Sequence, residues 1–270
     1  MALIAVLWLV AALSLMVSGV SGVVRQEARM VSVARQRLEA QALGDAAIMI
    51  ALQKLSATPR AVTQLTDTSV AFNGVEVPVT VMPLSGLINI NGASLPLLAA
   101  LLTIGGGLPE GQAQQLAINI VDLREKRSPT GRSPERFEAV EDLMQVPGFD
   151  FDLYARLAPF VTASNGGSGS AAVNPLAAPP EVLAILANGD QAMANRIAEQ
   201  RASGQPGVDT TGLAAGLASG GNSSRRYRIT AHVPLAAGGR FDVERSVYFG
   251  SRSRDGLPWY TFETRQTLQP

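Results

Sequence analysis

The first proline of this 270-residue chain is Pro59, and everything before it reads as one helix. Ala2 to Val24 carries no charged residue. At about 1.5 Å per helical residue that run spans roughly 35 Å, enough to cross a bilayer core. Trp8 lies within the run and Arg25 closes it. A secretory signal peptide would place a basic region before a shorter apolar core; here the apolar run starts at residue 2. From Gln26 to Leu55 apolar groups continue at helical spacing: Met30, Val33, Ala34, Leu38, Ala42, Ile48, Leu52 and Leu55. Thr58-Pro59 then ends the pattern. The expectation is a continuous helix over residues 1–55, several times the globular mean. Residues 2–24 are expected to span a membrane once, and the remainder of the helix is amphipathic.

Composition removes several classes of function. Basic and acidic residues balance at 22 each, which disfavours a polyanion as the main partner. With no cysteine there is neither a disulfide framework nor a thiolate metal site. The single histidine, His232, excludes multi-histidine metal sites and argues against a Ser-His-Asp triad. It reads as a polar residue on a strand face.

Beyond the helix, Val75, Val77, Val79 and Val81 alternate with Glu76, Pro78, Thr80 and Met82, a strand with period two. Asn73-Gly74 is a hairpin signal and gives the stretch from about Ala61 to Phe72 as a weaker partner strand. Strand patterns return only at Tyr227–Val233, then at Phe241–Phe249 after the turn Ala236 to Gly239, with a third segment at Trp259–Glu263. Strands this far apart, with helical sequence between them, predict one sheet interrupted by an inserted helical domain. The expected division is 56–84 plus 222–270 for the sheet and 85–221 for the insertion.

The insertion contains an internal repeat over 90–117 and 173–198. Ile90-Asn91, Ala93, Pro96 and Leu97 to Leu102 match Val173-Asn174, Ala177, Pro179-Pro180 and Val182 to Leu186, with one residue inserted. Ala113, Leu116 and Ala117 parallel Ala194, Ile197 and Ala198. Each copy reads as Asn, a turn, an apolar helix, a glycine-rich break and a second helix, Asn being good helix-entry chemistry. Ser164 to Ala172 and Gly212 to Ser224 are low-complexity and read as loops.

Three strings now carry a resemblance: GLININGASLPLLAALL (Gly86–Leu102), FEAVEDLMQVPGFDFDLYARLAPFVT (Phe137–Thr162) and AVNPLAAPPEVLAIL (Ala172–Leu186). Together with the N-terminal helix they resemble the K-type minor pseudopilins of bacterial type II secretion, over nearly the whole chain. The resemblance implies an α+β, type IV pilin-like fold: a long N-terminal helix packed on a small antiparallel sheet, with a large, mainly helical domain inserted between strands. It implies a structural subunit at the pseudopilus tip, not an enzyme, held by a single pass in the inner membrane with its globular part in the periplasm. Implied partners are the I-type and J-type minor pseudopilins, the major pseudopilin, the inner-membrane platform and a prepilin peptidase. That peptidase would leave Met1 as the mature, N-methylated terminus. Most of the family carries glutamate at the fifth position, where this chain has Ala5. The glutamate of an incoming subunit pairs with the N-terminal amine of the one above, so a subunit at the top can dispense with it. Leu38, Leu43 and Leu52 are candidate helix contacts that read equally well as packing onto the chain's own sheet.

Some relatives bind calcium, but the acidic residues usual after the first repeat are largely basic here, in Val121-Asp122-Leu123-Arg124-Glu125-Lys126-Arg127. No dense acidic loop supplies converging oxygens, so no metal site and no cofactor are expected; calcium rests on the resemblance alone. The alternative function is a membrane-anchored, competence-like DNA-binding protein, since Leu143 to Pro159 has a helix-hairpin-helix pattern. Its hairpin, however, holds Pro147, which lacks an N–H, and Asp150, which repels phosphate. Nine acidic against six basic residues over Ser85–Asn165 also oppose counterion release. Glu135/Glu138 and Glu141-Asp142 read as a solvated helix face, and Gly105-Gly106-Gly107 lacks the Lys-Ser/Thr of a phosphate loop.

Overall fold

The computed structural model describes residues 2–58, 61–126, 136–163, 172–204, 207–214, 216–218, 225–236, 238–250 and 255–269. Along the first helix it describes the side chains of 3–4, 6–10, 26–27 and 30 onward. That helix, α1, runs unbroken over Ala2–Ala57. Its end is closed by Thr58, whose N–H and hydroxyl donate to the carbonyls of Leu55 and Lys54.

The chain then forms a hairpin of β1 (Thr66–Phe72) and β2 (Val75–Pro83). Asn73 and Gly74 both take positive φ, 51° and 76°, the turn whose twist matches that of the flanking strands. A 3₁₀ turn at Leu84–Gly86 leads out of the sheet into β3 (Ile88–Asn89), α2 (Leu95–Ala100), α3 (Glu110–Glu125) and α4 (Phe151–Leu157). After β4 (Val161–Thr162) come α5 (Pro180–Leu186) and α6 (Gln191–Ala202). The chain re-enters the sheet with β5 (Arg226–Pro234), β6 (Arg240–Phe249) and β7 (Trp259–Gln269). Among the described residues the sheet has five strands in the order β1-β2-β5-β6-β7, every pair antiparallel. Val81 lies opposite Ile229 and Val79 opposite Ala231. The expected α+β fold, one sheet with a mainly helical insertion, is therefore the observed one.

The core has two parts, because the sheet and the insertion each bury their own apolar face. Val77, Val79, Val81, Ile229, Ala231, Val233, Val243 and Val247 cover α1. Leu97, Leu98, Leu101, Leu102, Ile120, Leu143, Leu157, Leu183 and Leu186 fill the insertion. α1 approaches the sheet through a stripe of small residues, Ala40, Gly44, Ala47 and Ala51, with Ile48 and Leu52 between them. A Cβ on Gly44 would lie 2.5 Å from Val243 Cγ2, so only glycine permits this spacing.

Four expectations change. The repeat register moves by two residues: Asn174 corresponds to Asn89, not Asn91. Asn89 Oδ1 accepts from Asn91 N–H and Asn174 Oδ1 from Leu176 N–H, the same two-residue turn in each copy. From there Ser94 and Pro179 precede the two first helices without any insertion. The sequence offered two asparagines in the first copy, and only the turn geometry distinguishes them. Second, β3 and β4 form a short parallel pair inside the insertion, too brief for any periodicity to signal. Third, β7 runs on to Gln269, because its residues past Glu263 pair with β6 as an edge strand with little buried surface of its own. Fourth, the low-complexity stretch after Gly212 is partly packed: Leu213 is buried, Ala214 N–H donates to Leu186 and Val173 N–H to Leu217. Residues 164–171 and 219–224 lie outside the described residues.

Candidate functional site

α1 is two surfaces in one rod. In its first half every described side chain up to Glu39 is exposed, including Leu3, Ile4, Leu7, Trp8, Met30, Val31, Val33 and Leu38. Met30, Val33, Ala34, Arg37 and Leu38 form a shallow apolar groove along this half. The Arg35–Glu39 pair beside it, at 2.7 Å, is solvated and contributes little by itself. The three candidate contacts fall on a gradient. Leu38 is 67% exposed, Leu43 is partly buried against the sheet, and Leu52 is 1% exposed within the sheet core. Of the two readings of Leu52, packing on the chain's own sheet is the one observed. The side chains of Met1 and Ala5 lie outside the described residues, as do those of 11–25 within the expected span. Among the described residues no helix is long and apolar enough to cross a membrane.

The insertion joins the sheet at the end beside the C-terminus of α1. Leu55 and Thr58 share one groove of about 490 Å³ with Tyr227, Phe249 and Pro258, from the start of β5, the end of β6 and the approach to β7. Burial raises the Tyr227 phenol above its ordinary value, and a bond from the Val62 backbone opposes that. Linker bonds tie the same end to the second repeat: Leu65 N–H donates to Leu176 O, and Asn174 Nδ2 to Thr63 O. Gly86 lies so close to the Ala177 backbone that a Cβ would collide with it.

Each repeat is held by one arginine. Arg124 Nη1 donates to the Ile90 and Ala93 carbonyls at 2.9 and 2.8 Å. Arg201 Nη1 does the same to Leu176 and Ala178, at 3.3 and 2.6 Å. Burial lowers both guanidinium pKa values, with Glu125 opposing for Arg124 and Asp67 for Arg201. Both clamps went unread in the sequence. Their only signal is a basic residue in the last turn of each second helix, common there for dipole reasons alone.

In the helix-hairpin-helix segment and the turn that precedes it, carboxylates accept from backbone amides. Asp142 accepts from Glu138 and Ala139 N–H, and Asp150 caps α4 by accepting from Leu153 N–H at 2.7 Å. Carboxylates thus occupy donors a nucleic-acid backbone would need. Among the described residues no three acidic or imidazole side chains converge as a metal site. Arg127, the last residue of the basic stretch, and residues 128–135 lie outside the described residues.

The outer face of the sheet, opposite α1, is polar and ordered. Arg228 is buried, with its Nε 3.2 Å from Glu244, its Nη2 4.0 Å from Glu263, and Nη1 donating to Pro159 O of the insertion. His232 is not a lone strand residue: Nδ1 lies 2.8 Å from Asp242 and Nε2 3.2 Å from the Thr80 hydroxyl. The hydroxyl-imidazole-carboxylate order resembles a hydrolytic triad, but Thr80 donates its proton to Asp67 at 2.7 Å. With its proton in that bond, the hydroxyl does not donate to the ring.

No family model matches the sequence, and no curated protein matches it. Among solved structures, a chain of the GspK-GspI-GspJ complex from the enterotoxigenic Escherichia coli Type 2 Secretion System is similar over 89% of this chain and 99% of its own. The TM-score is 0.53 and the identity 15%. The likeness shows the fold: this chain shares its architecture with a chain of that complex.

Proposed function

We propose that this chain is a K-type minor pseudopilin, a structural subunit that tips a type II secretion pseudopilus. The observation that carries the reading is the divided helix. The upper half of α1 is satisfied by its own sheet, whereas the lower half presents Met30, Val31, Val33 and Leu38 with no cover from the described chain. Apolar side chains held this way along one rod bind other amphipathic helices. Helices of I-type and J-type partners supply that cover, a reading supported by the fold likeness to a subunit of a three-protein complex. Residues 2–24 then sit in the inner membrane, placed there by the platform, with Met1 exposed by the peptidase and the globular part in the periplasm.

Two features favour the tip over the shaft. Ala5 lacks the carboxylate that a subunit with a neighbour above would use, since an unpaired buried amine or carboxylate is costly. The insertion also joins the sheet at the end away from residues 2–24, where it obstructs stacking of a further subunit and of the major pseudopilin above it. The test is co-expression of the full chain with its two minor partners, followed by purification in mild detergent. A stable three-component complex is expected. Failure of this chain to join the other two, while they join each other, would remove the reading's main support.

A further inference from the structure

We propose that His232 is the centre of a protonation-sensitive clasp that ties the β1–β2 hairpin to the rest of the sheet. Four side chains form a row across four strands of the outer face: Asp242 on β6, His232 on β5, Thr80 on β2 and Asp67 on β1. Counting protons decides how the row works. Ionised Asp242 only accepts, so Nδ1 carries a proton. The single Thr80 proton lies in its 2.7 Å bond to Asp67, so the Thr80 oxygen faces Nε2 as an acceptor. Every link is made at once only when Nε2 carries a proton too, that is, with the ring as an imidazolium.

When the ring loses that proton, Asp242 keeps the one on Nδ1 and Nε2 becomes an acceptor. Thr80 can then donate to Nε2 or to Asp67, but not to both. One link of the row is lost, and with it either the β2–β5 or the β1–β2 side-chain tie. The charged groups facing His232 frame the change. On β6, Arg240 Nε lies 3.2 Å from Asp242, and Glu244 is taken by Arg228. On β1, Asp67 attracts the guanidinium of Arg201 on α6, the same group that holds the Leu176 and Ala178 carbonyls. On β2, Glu76 is bonded to Ser69. The clasp is complete with the ring as an imidazolium and opens as rising pH removes the Nε2 proton.

The experiment is hydrogen exchange by mass spectrometry on the full chain in detergent micelles over a pH series that spans the ring's ionisation, each rate divided by its intrinsic rate. Imidazole resonances followed by NMR on the same preparation give the ionisation curve. Protection over residues 66–83 is expected to fall several-fold along that curve, while residues 40–57 of α1 stay level. Thr80→Val and His232→Gln should each flatten the response. Titration of the ring without any change in the hairpin would overturn the proposal, as would variants that keep the step. Should neither variant fold, the two wild-type curves still decide by coinciding or not.

Discussion

Residues 26–39 and 40–57 belong to one helix, yet they solve opposite problems. The upper segment buries alanines, a glycine, Ile48 and Leu52 against strands of its own chain. The lower segment leaves Met30, Val31, Val33 and Leu38 in solvent. Small residues on the upper segment bring two backbones close, as the Gly44–Val243 approach shows. Exposed apolar residues on the lower segment are suited to filling grooves on another helix. The difference teaches that apolar periodicity marks a face for burial without saying whose surface buries it. Whether that partner is internal depends on how far the sheet reaches along the rod, and the sheet stops at Ala40.

The sharpest way to break this comparison is to truncate matching leucines. Leu52→Ala should lower the unfolding free energy of the isolated chain by about 2–5 kcal/mol, the range for a fully buried leucine, read from denaturant unfolding. A loss no larger than that of an exposed position would mean the upper half is not cemented to the sheet. Next in size is Ala5→Glu. On the proposed membrane placement, a carboxylate at this position would cost roughly 2.5–3.5 kcal/mol on translocon scales, so secretion should stay level or fall. Crosslinking of this variant into the pseudopilus shaft, with the insertion intact, would show that the insertion does not cap the fibre.

Gly44→Ala tests the close approach itself. The added methyl has no room at Val243 and should cost about 1–3 kcal/mol as overpacking, measured by thermal unfolding. A neutral result would mean the helix can lift from the sheet freely. The smallest stability effect belongs to Leu38→Ala, within about 0.5 kcal/mol for an exposed position. Its effect should appear in the complex instead, as reduced recovery of the two partners on co-purification. Retained recovery together with lost stability would invert the assignment of the two halves.

Much of the fold was legible because it rests on long, regular patterns. The uninterrupted helix, the valine alternation of β2 and the Asn73-Gly74 turn each impose one geometry. What escaped lacks a period. The β3–β4 pair is two residues long on each side, and the repeat register hung on which asparagine makes a turn. At the candidate site, Leu38 and Leu52 look alike in sequence, and only the sheet's extent separates them. The His232 row was invisible for another reason: its members come from four strands, and no local spacing links Asp67, Thr80, His232 and Asp242.

The insertion also sets a timetable for the chain's birth. β2 ends at Pro83 and its neighbour β5 begins at Arg226, so the central pairing waits while about 140 further residues are made. At a synthesis rate of about 5–20 residues per second that is a delay of roughly 7–28 s. Throughout it, the valine face of β2 and the apolar stripe of α1 stand without β5 and β6. The insertion has its own core and can condense meanwhile, but the sheet cannot. Newly made chains are therefore exposed to aggregation for a defined interval, and a chaperone that shields β2 during it would raise the yield of folded protein.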